Sequence, residues 1–241
     1  MTNSLSRSQE ISRLLRDEIL RGQYRPTERL PSERDLVVRF KTSRGTVREV
    51  FKKLEQLGVI SIQPGGARVV PIEDCTLAVL GPLLGLGDMP DQKLVSQAIE
   101  IGSVLVGFAV EQAMTTDENA TVSEARAIVR EMLDANIEEI QAVMGPPRLI
   151  QVFAKTSDHL VLRLIMNSLR SQVVERLQAI GFSPRHDPRA LQQLAKNLDS
   201  ALISRDSRKT ALIMKDWLSL IRDNLERRYN DLELKRKTAT S

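Results

Sequence analysis

The sequence is poor in aromatic residues, cysteine and histidine, and each shortage excludes a class of protein. Aromatic residues make up 3% of the 241 positions, so the core must be built from aliphatic side chains. The one cysteine, Cys75, excludes an internal disulfide framework and suits a reducing cytoplasm, as a small buried or linker residue. The two histidines, His159 and His186, cannot supply three imidazole ligands, so we expect no metal and no cofactor.

Long hydrophobic runs are also missing. No uninterrupted apolar stretch approaches the roughly 20 residues that a membrane helix needs, and no charged-then-apolar leader stands at the N-terminus. We therefore expect a cytoplasmic protein with no membrane partner. No nucleophile with a nearby base and no pair of carboxylates is evident, so an enzyme is the least supported alternative.

Residues 30–70 contain the pattern of a helix-turn-helix. Ser32 and the acidic residues after it suit the start of a helix that runs to about Phe40. After a short turn, Ser43 caps a second helix over 44–57, in which the apolar residues keep helical spacing. The basic residues of this second helix are thereby left facing water or phosphate.

A hairpin follows the second helix. Gly58 suits the position just past a helix end. Two short β-rich runs, 59–63 and 67–70, are separated by Pro64 and two glycines, which is typical of a hairpin wing. With a further helix before them, these elements predict a winged helix-turn-helix domain over 1–71.

Three motifs, PSER, TSRGTVRE and LGVISIQPG, carry a resemblance to a known family. In this order they resemble the N-terminal signature of GntR-type bacterial transcriptional regulators, in particular the FadR group. The family wing usually reads Gly, any residue, Gly, whereas here Gly65 and Gly66 are followed by Ala67. The resemblance implies double-stranded DNA as partner. It implies DNA contacts at Arg34, Ser43, Arg44, Thr46, Arg48 and Gly65.

The chemistry of these side chains suggests separate roles. Arginine can donate two parallel hydrogen bonds to guanine in the major groove, so we assign Arg44 and Arg34 to base reading. Arg48 lies one turn further along, and Ser43 and Thr46 carry short hydroxyls, which suits phosphate contacts. The alternative is a solvated, charged helix face.

The charge distribution agrees with a DNA-binding N-terminal domain. Residues 1–71 hold 14 Lys and Arg against 8 Asp and Glu, whereas the remainder holds 21 against 23. The basic excess is therefore confined to the first domain, where it would attract the phosphate backbone.

The rest of the chain predicts a mainly α protein whose C-terminal domain is an all-helical bundle. Residues 72–90 form a linker with a short apolar helix that we expect to pack on one domain, and 238–241 form a disordered tail. Residues 91–237 predict six or seven helices, and resemble the effector-binding and dimerising domain of FadR-type regulators. The helices are expected at 92–114, 121–143, 147–156, 158–180, 187–204 and 207–234.

Many members of that family bind a metal through one aspartate and three histidines. The alignment places Pro146 at the aspartate and Ile150, Ala195 and Trp217 at the histidines, and none of these can bind a divalent ion. The effector arginine of the family falls on Gly102, among apolar neighbours. An apolar, acyl ligand is therefore favoured over a small acid. Its lining residues would be Gly102, Phe108, Ile150, Phe153 and Trp217.

The sequence thus predicts a homodimeric, ligand-responsive repressor that binds a short palindromic operator, with a long-chain acyl-CoA or fatty acid as effector. One alternative is a GntR-type regulator with no small-molecule effector, which follows if the 92–114 helix simply packs tightly. Another is a regulator of this type that responds to a small organic acid.

Overall fold

The computed structural model describes residues 6–87, 89–136, 139–140, 145–175, 177 and 187–239. The chain divides into two compact units, Met1–Asp91 and Gln92–Ser241, and each has its own apolar core. The architecture is mainly helical with one small two-stranded sheet, which confirms the predicted fold class.

The first unit contains a helix-turn-helix followed by a hairpin. Its elements are α1 (Arg7–Leu20), α2 (Glu33–Phe40), α3 (Arg44–Leu57), β1 (Ile60–Gln63), β2 (Gly66–Val69) and α4 (Leu80–Leu84), with short 3₁₀ turns at Ile72–Asp74 and Leu77–Val79. The helix ends follow the local sequence. Ser6 and Ser32 each form a capping box with the residue three positions on, and Ser43 caps α3. Gly58 ends α3 with φ +83°, a conformation that favours glycine.

The wing is an antiparallel hairpin in the register Ile60↔Val69 to Gln63↔Gly66. Pro64 and Gly65 form its two-residue loop, and Gly65 has φ +100°. Upstream backbone extends the sheet, because Leu30 N–H donates to the carbonyl of Ala67 at 2.9 Å. The wing is thus tied to the chain segment that enters α2.

The core of the first unit is aliphatic, as the low aromatic content requires. Leu15, Val50 and Leu54 from α1 and α3 are fully buried in it. The segment that the sequence suggests as a linker packs against the same core through Val79, with Leu83 partly buried beside it. Segment 72–90 is therefore part of the first unit.

The second unit is a helical bundle. Among the described residues its helices are α5 (Gln92–Thr116), α6 (Glu118–Asp134), α7 (Gly145–Thr156), α8 (Leu160–Leu169), α9 (Pro188–Ile203) and α10 (Ser207–Ala239). One π-helical turn, Arg170–Val174, continues α8. The core joins all six helices, with residues such as Val110, Phe153 and Leu198 fully buried.

Several predicted boundaries in this unit are wrong. The predicted helix 121–143 ends at Asp134, because the Asn136 side chain accepts a hydrogen bond from the Glu139 N–H at 2.9 Å and forms a turn. The predicted turn near Gly145 is instead the first turn of α7, where prolines are tolerated. The predicted disordered tail, 238–241, lies partly outside the described residues. The helix α10 continues to Ala239, because the closing Leu, Lys and Arg residues favour helix.

The helix α5 is apolar on average, although it holds no uninterrupted apolar stretch of membrane length. This helix has 25 residues and a mean hydropathy of 1.5 over an 18-residue window, which is long and apolar enough to cross a membrane. Glu100 and Glu111 interrupt the apolar residues but leave the helix apolar on average. Val106 and Val110 of α5 belong to the bundle core, and 28% of its apolar window is buried.

Candidate nucleic-acid interface

The N-terminal turn of α3 is held by hydrogen bonds between short side chains. Ser43 Oγ accepts a hydrogen bond from the Thr46 N–H at 3.1 Å and lies 3.0 Å from Thr46 Oγ1. Sequence analysis assigns both hydroxyls to phosphate. The structure gives them a capping role, which orients the first turn of the helix.

The two arginines assigned to base reading lie at the starts of the two helices. Arg44 is the first residue of α3, Arg34 is the second residue of α2, and both are exposed. Within the described part of the chain, neither forms an ion pair, and the charge of Arg34 has only a minor effect on the neighbouring Asp35. Their guanidinium groups can therefore bind an external acceptor without first breaking an ion pair.

Arg48 is held differently. Its Nε donates to both carboxylate oxygens of Glu33, at 3.1 and 3.2 Å, which links α3 to the start of α2. The pair is solvent-exposed, so it contributes little to stability. A phosphate contact by Arg48 would have to share or replace Glu33, a competition that sequence reasoning missed.

The start of α2 is stabilised in the same way as that of α3. Ser32 Oγ and the Ser32 N–H both donate to Asp35, and these hydrogen bonds hold the pKa of the Asp35 carboxyl below its ordinary value. Because Arg34 lies between these two residues, the capping box also sets the backbone that carries this arginine.

Gly45, the second residue of α3, is a functional candidate that sequence analysis missed. A Cβ there would meet Ser43 Oγ at 3.7 Å, an ordinary contact distance, so the protein itself leaves room for a side chain. Glycine costs about 1 kcal/mol relative to alanine inside a helix. A glycine that the fold does not require, beside Arg44, suits close approach of another molecule.

The tip of the wing has two glycines with different surroundings. Gly65 has nothing within 4 Å of an ideal Cβ, so the tip is open to a groove or a backbone. A Cβ at Gly66 would lie 2.7 Å from Arg29 Nε, so Gly66 makes room for that guanidinium. Arg29 and Arg68 are paired across an isolated bridge and both are exposed. They add cations beside the wing that the motif comparison did not indicate.

The residues suggested to line a ligand site in the helical unit have unlike surroundings. Phe153 and Trp217 are buried in the bundle core, and Ile150 packs against it. Phe108 is exposed and meets the ring of His159 edge-on at 5.6 Å. Gly102 has open space around it.

A cation missed by the sequence lies against α5. A Cβ at Gly107 would lie 2.0 Å from Cε of Lys215 in α10, and 2.8 Å from its Nζ. The absence of a side chain at Gly107 thus leaves room for the end of the Lys215 side chain against α5. The stretch of α5 around Gly102 and Gly107 carries no basic side chain, but the tertiary structure brings one from a distant segment.

The histidines and the cysteine have structural surroundings where they are described. His159 Nδ1 accepts a hydrogen bond from the Leu162 N–H at 3.2 Å and caps α8, while His186 lies outside the described residues. Burial, with smaller effects from Asp74 and Glu73, raises the pKa of Cys75. No group of three or more potential metal ligands occurs in the described part of the chain.

These observations define a class of protein. A capped recognition helix with exposed arginines at its start, followed by a wing with an open tip, is typical of winged helix-turn-helix DNA-binding domains. Residues 7–70 match the model of the family described as bacterial regulatory proteins, gntR family.

Solved structures of regulators are similar to the chain over most of its length. Lar, which controls the expression of the Listeria monocytogenes agr system and mediates virulence, has 15% sequence identity and a TM-score of 0.57, covering 94% of this chain and 99% of Lar. E. coli McbR/YncC has 17% identity and a TM-score of 0.47, with 93% and 99% covered. Streptococcus agalactiae GntR has 15% identity and a TM-score of 0.45, with 90% and 99% covered.

At this identity the likeness to Lar shows a shared fold. The family match over residues 7–70 lies within the first unit, which we call the reader. Residues 7–70 are therefore a GntR-family helix-turn-helix domain. The family match therefore concerns the DNA-binding domain, and the likeness to Lar over the rest of the chain is one of fold. Assignment to the FadR group stays a prediction.

Proposed function

We propose that this protein is a cytoplasmic transcriptional repressor that binds a short palindromic operator as a homodimer. The observation that carries the proposal is the start of α3, where Ser43 caps the helix and Arg44 is exposed without an acidic partner in the described residues. A helix N-terminus in this state can enter the major groove and offer two donors to guanine.

The neighbouring residues complete the DNA-binding surface. Arg34 reads a second base edge, and Arg48 contacts phosphate after releasing Glu33. Ser43 and Thr46 hold the helix start and can add phosphate contacts through their hydroxyls. Gly65 places the open wing tip against the adjacent groove or backbone.

Effector control requires two arrangements of the two readers in a dimer. A ligand can favour one arrangement only if its affinity for the two differs. The effector that we propose is a long-chain acyl group, as acyl-CoA or fatty acid, within the bundle. It is supported by the apolar lining of α5 and by the lack of metal-binding residue types at the family positions.

Two alternatives have specific support. Tight packing of Phe153 and Trp217 in the bundle core favours a regulator with no small-molecule effector. Lys215 beside Gly107 favours a small organic acid, because it supplies a cation at α5. No feature of the described residues gives an enzymatic role comparable support.

Selection of binding sequences from a random duplex library tests the DNA-binding proposal. We expect a two-fold symmetric site whose affinity falls steeply with salt, because phosphate contacts release counterions. Association that is blind to sequence would contradict it. Footprints of that site with palmitoyl-CoA, with palmitate and with a dicarboxylate such as succinate then distinguish the effectors. Native mass spectrometry of protein purified from its host shows whether an acyl ligand is retained.

A further inference from the structure

Two exposed arginines face each other beside the wing. Arg29 lies in the segment that enters α2, Arg68 lies in β2, and the two are paired across an isolated antiparallel bridge. Backbone hydrogen bonds flank this pair and do not join it, because the Leu30 N–H donates to Ala67 on one side and the Val69 N–H donates across the bridge on the other. In a pair of this type the facing side chains lie closest together. We call these two residues the wing arginine pair.

The wing arginine pair is not neutralised by the protein. In the part of the chain that the structure describes, no ion pair includes either residue. The nearest acidic residue in the sequence, Glu28, accepts a hydrogen bond from the Arg25 N–H at 2.7 Å. Arg68 Nη1 donates to the Thr27 carbonyl at 3.0 Å, which orients this guanidinium without cancelling its charge. Since like charges directly opposite each other destabilise a sheet, the pair costs the fold free energy until an anion binds it.

Gly66 determines where the Arg29 side chain goes. It lies two residues before Arg68, on the same face of β2, because side chains alternate along a strand. An ideal Cβ at Gly66 would lie 2.7 Å from Arg29 Nε, so the Arg29 side chain fills the space that a side chain at position 66 would need. Residues 59–66 contain no basic side chain, and Gly65 has open space around it. Arg29 therefore brings a cation to a hairpin that has none of its own before Arg68.

We propose that the wing arginine pair binds one phosphate of the DNA backbone between its two guanidinium groups. Each guanidinium has several donors in a planar arrangement that matches phosphate oxygens. A phosphate held between them cancels the repulsion within the pair through charge-assisted hydrogen bonds. The inference rests on the proposed function and adds to it a contact outside the helix-turn-helix. Because phosphate contacts carry no sequence information, this contact positions the wing on any duplex.

Titrations of the full-length protein at several salt concentrations test the proposal. They use two duplexes of equal length, the operator selected from the random library and a mixed-sequence duplex. Arg29→Gln removes the charge, and Arg29→Lys keeps it. The matched control is Arg13→Gln, because Arg13 on α1 is also an exposed arginine with no ion pair among the described residues. Circular dichroism and melting temperatures establish that the variants are folded.

We expect Arg29→Gln to weaken binding to both duplexes by about five- to tenfold per reader at about 0.1 M salt, and to lower the slope of log K against log salt by about 0.9 per reader. Arg29→Lys should keep most of the slope, because lysine also binds phosphate as a cation. Arg68→Gln should act in the same direction. The double variant should lose less than the product of the two single losses, because both guanidinium groups bind one phosphate.

Four results would overturn the proposal. Arg29→Gln could bind both duplexes as Arg13→Gln does, or it could lose affinity for the operator alone, which would make Arg29 a base reader. A lower melting temperature with an unchanged salt slope would make Arg29 a packing residue. Independent losses at Arg29 and Arg68 would mean that they do not share a phosphate. A wild type without preference for the operator would remove the proposed function, whereas a salt slope that depends on Arg29 on the mixed-sequence duplex would still support this contact.

Discussion

The two units of this protein depend on different kinds of residues for their structure and their proposed roles. In the reader, helix ends are set by local hydrogen bonds from Ser32, Ser43 and Gly58, and the important cations stand at those ends. In the helical unit, the informative residues are apolar, and their role depends on which side of a helix they occupy. Local chemistry can be recognised one residue at a time, whereas an apolar side chain has meaning only through its neighbours.

This contrast extends to glycine. In the reader, Gly58 adopts a left-handed backbone conformation that favours glycine. Gly45 leaves space that no other atom of the protein fills. In the helical unit, Gly107 gives room to Lys215 from another helix. The first role is visible in the sequence, but the other two require neighbouring atoms to be placed.

The largest effect should come from emptying the core of the helical unit. Phe153→Ala removes a fully buried side chain and should lower the free energy of unfolding of this unit by about 3–5 kcal/mol. Ile203→Ala, at an exposed site, should change it by less than about 0.5 kcal/mol. Urea unfolding followed by circular dichroism measures both. Equal losses would mean that Phe153 is not a packing residue.

The next effect concerns base reading. Arg44→Ala should weaken binding to the selected operator by about 10- to 100-fold and relax the preference at one base, because a bidentate contact is lost. Arg48→Ala should weaken all sequences alike, as expected for a phosphate contact. Fluorescence anisotropy titrations on matched and mismatched duplexes measure this.

Arg208→Ala on α10 removes the same charge outside the reader and serves as the control. If Arg44→Ala behaves like this control, Arg44 does not read bases.

A smaller effect is expected from a substitution that stabilises the fold but weakens operator binding. Gly45→Ala should raise the free energy of unfolding of the reader by about 0.5–1 kcal/mol, because alanine favours helix. The same change should weaken operator binding if DNA approaches α3 closely at this point. Thermal melts and binding titrations on the same preparation test the pair. A stabilised variant with unchanged operator affinity would show that DNA does not approach Gly45 closely in the complex.

The smallest effect concerns the pH dependence of the α2 cap. Folding lowers the pKa of Asp35, so the ionised carboxylate stabilises the folded state. This stabilisation is fully present above the pKa of the unfolded state, and it is lost as the pH falls through the pKa of the folded state. The stability difference between wild type and Asp35→Asn should therefore be constant from pH 5 to 8. It should shrink below about pH 4. Denaturant titrations at successive pH values measure it, and a difference that grows in acid would contradict the capping assignment.

The reader was largely predictable from its residues. Caps at Ser32 and Ser43, the end at Gly58 and the hairpin after it all lie within one residue of their expected positions. These features depend on hydrogen bonds between residues three or four apart. The competition of Glu33 for Arg48 was not predictable, because the two side chains are fifteen positions apart and meet only after α2 and α3 pack.

In the helical unit, periodicity predicted the helices but not their surfaces. It could not separate the buried side of α5 at Val106 and Val110 from the exposed side at Ile101, Val104 and Phe108, since both are apolar. Nor could it indicate Lys215 beside Gly107, because these residues are more than one hundred positions apart.

By itself, the sequence determined the mainly helical fold class, the helix ends of the reader and the confinement of basic charge to the first 71 residues. These follow from backbone hydrogen bonding, side-chain capping and composition, which act over a few positions. Only the tertiary structure decided which apolar residues are core, which form an outer face, and which arginines have acidic partners. Burial and ion pairing depend on distances between segments that are remote in the chain, and packing alone sets those distances.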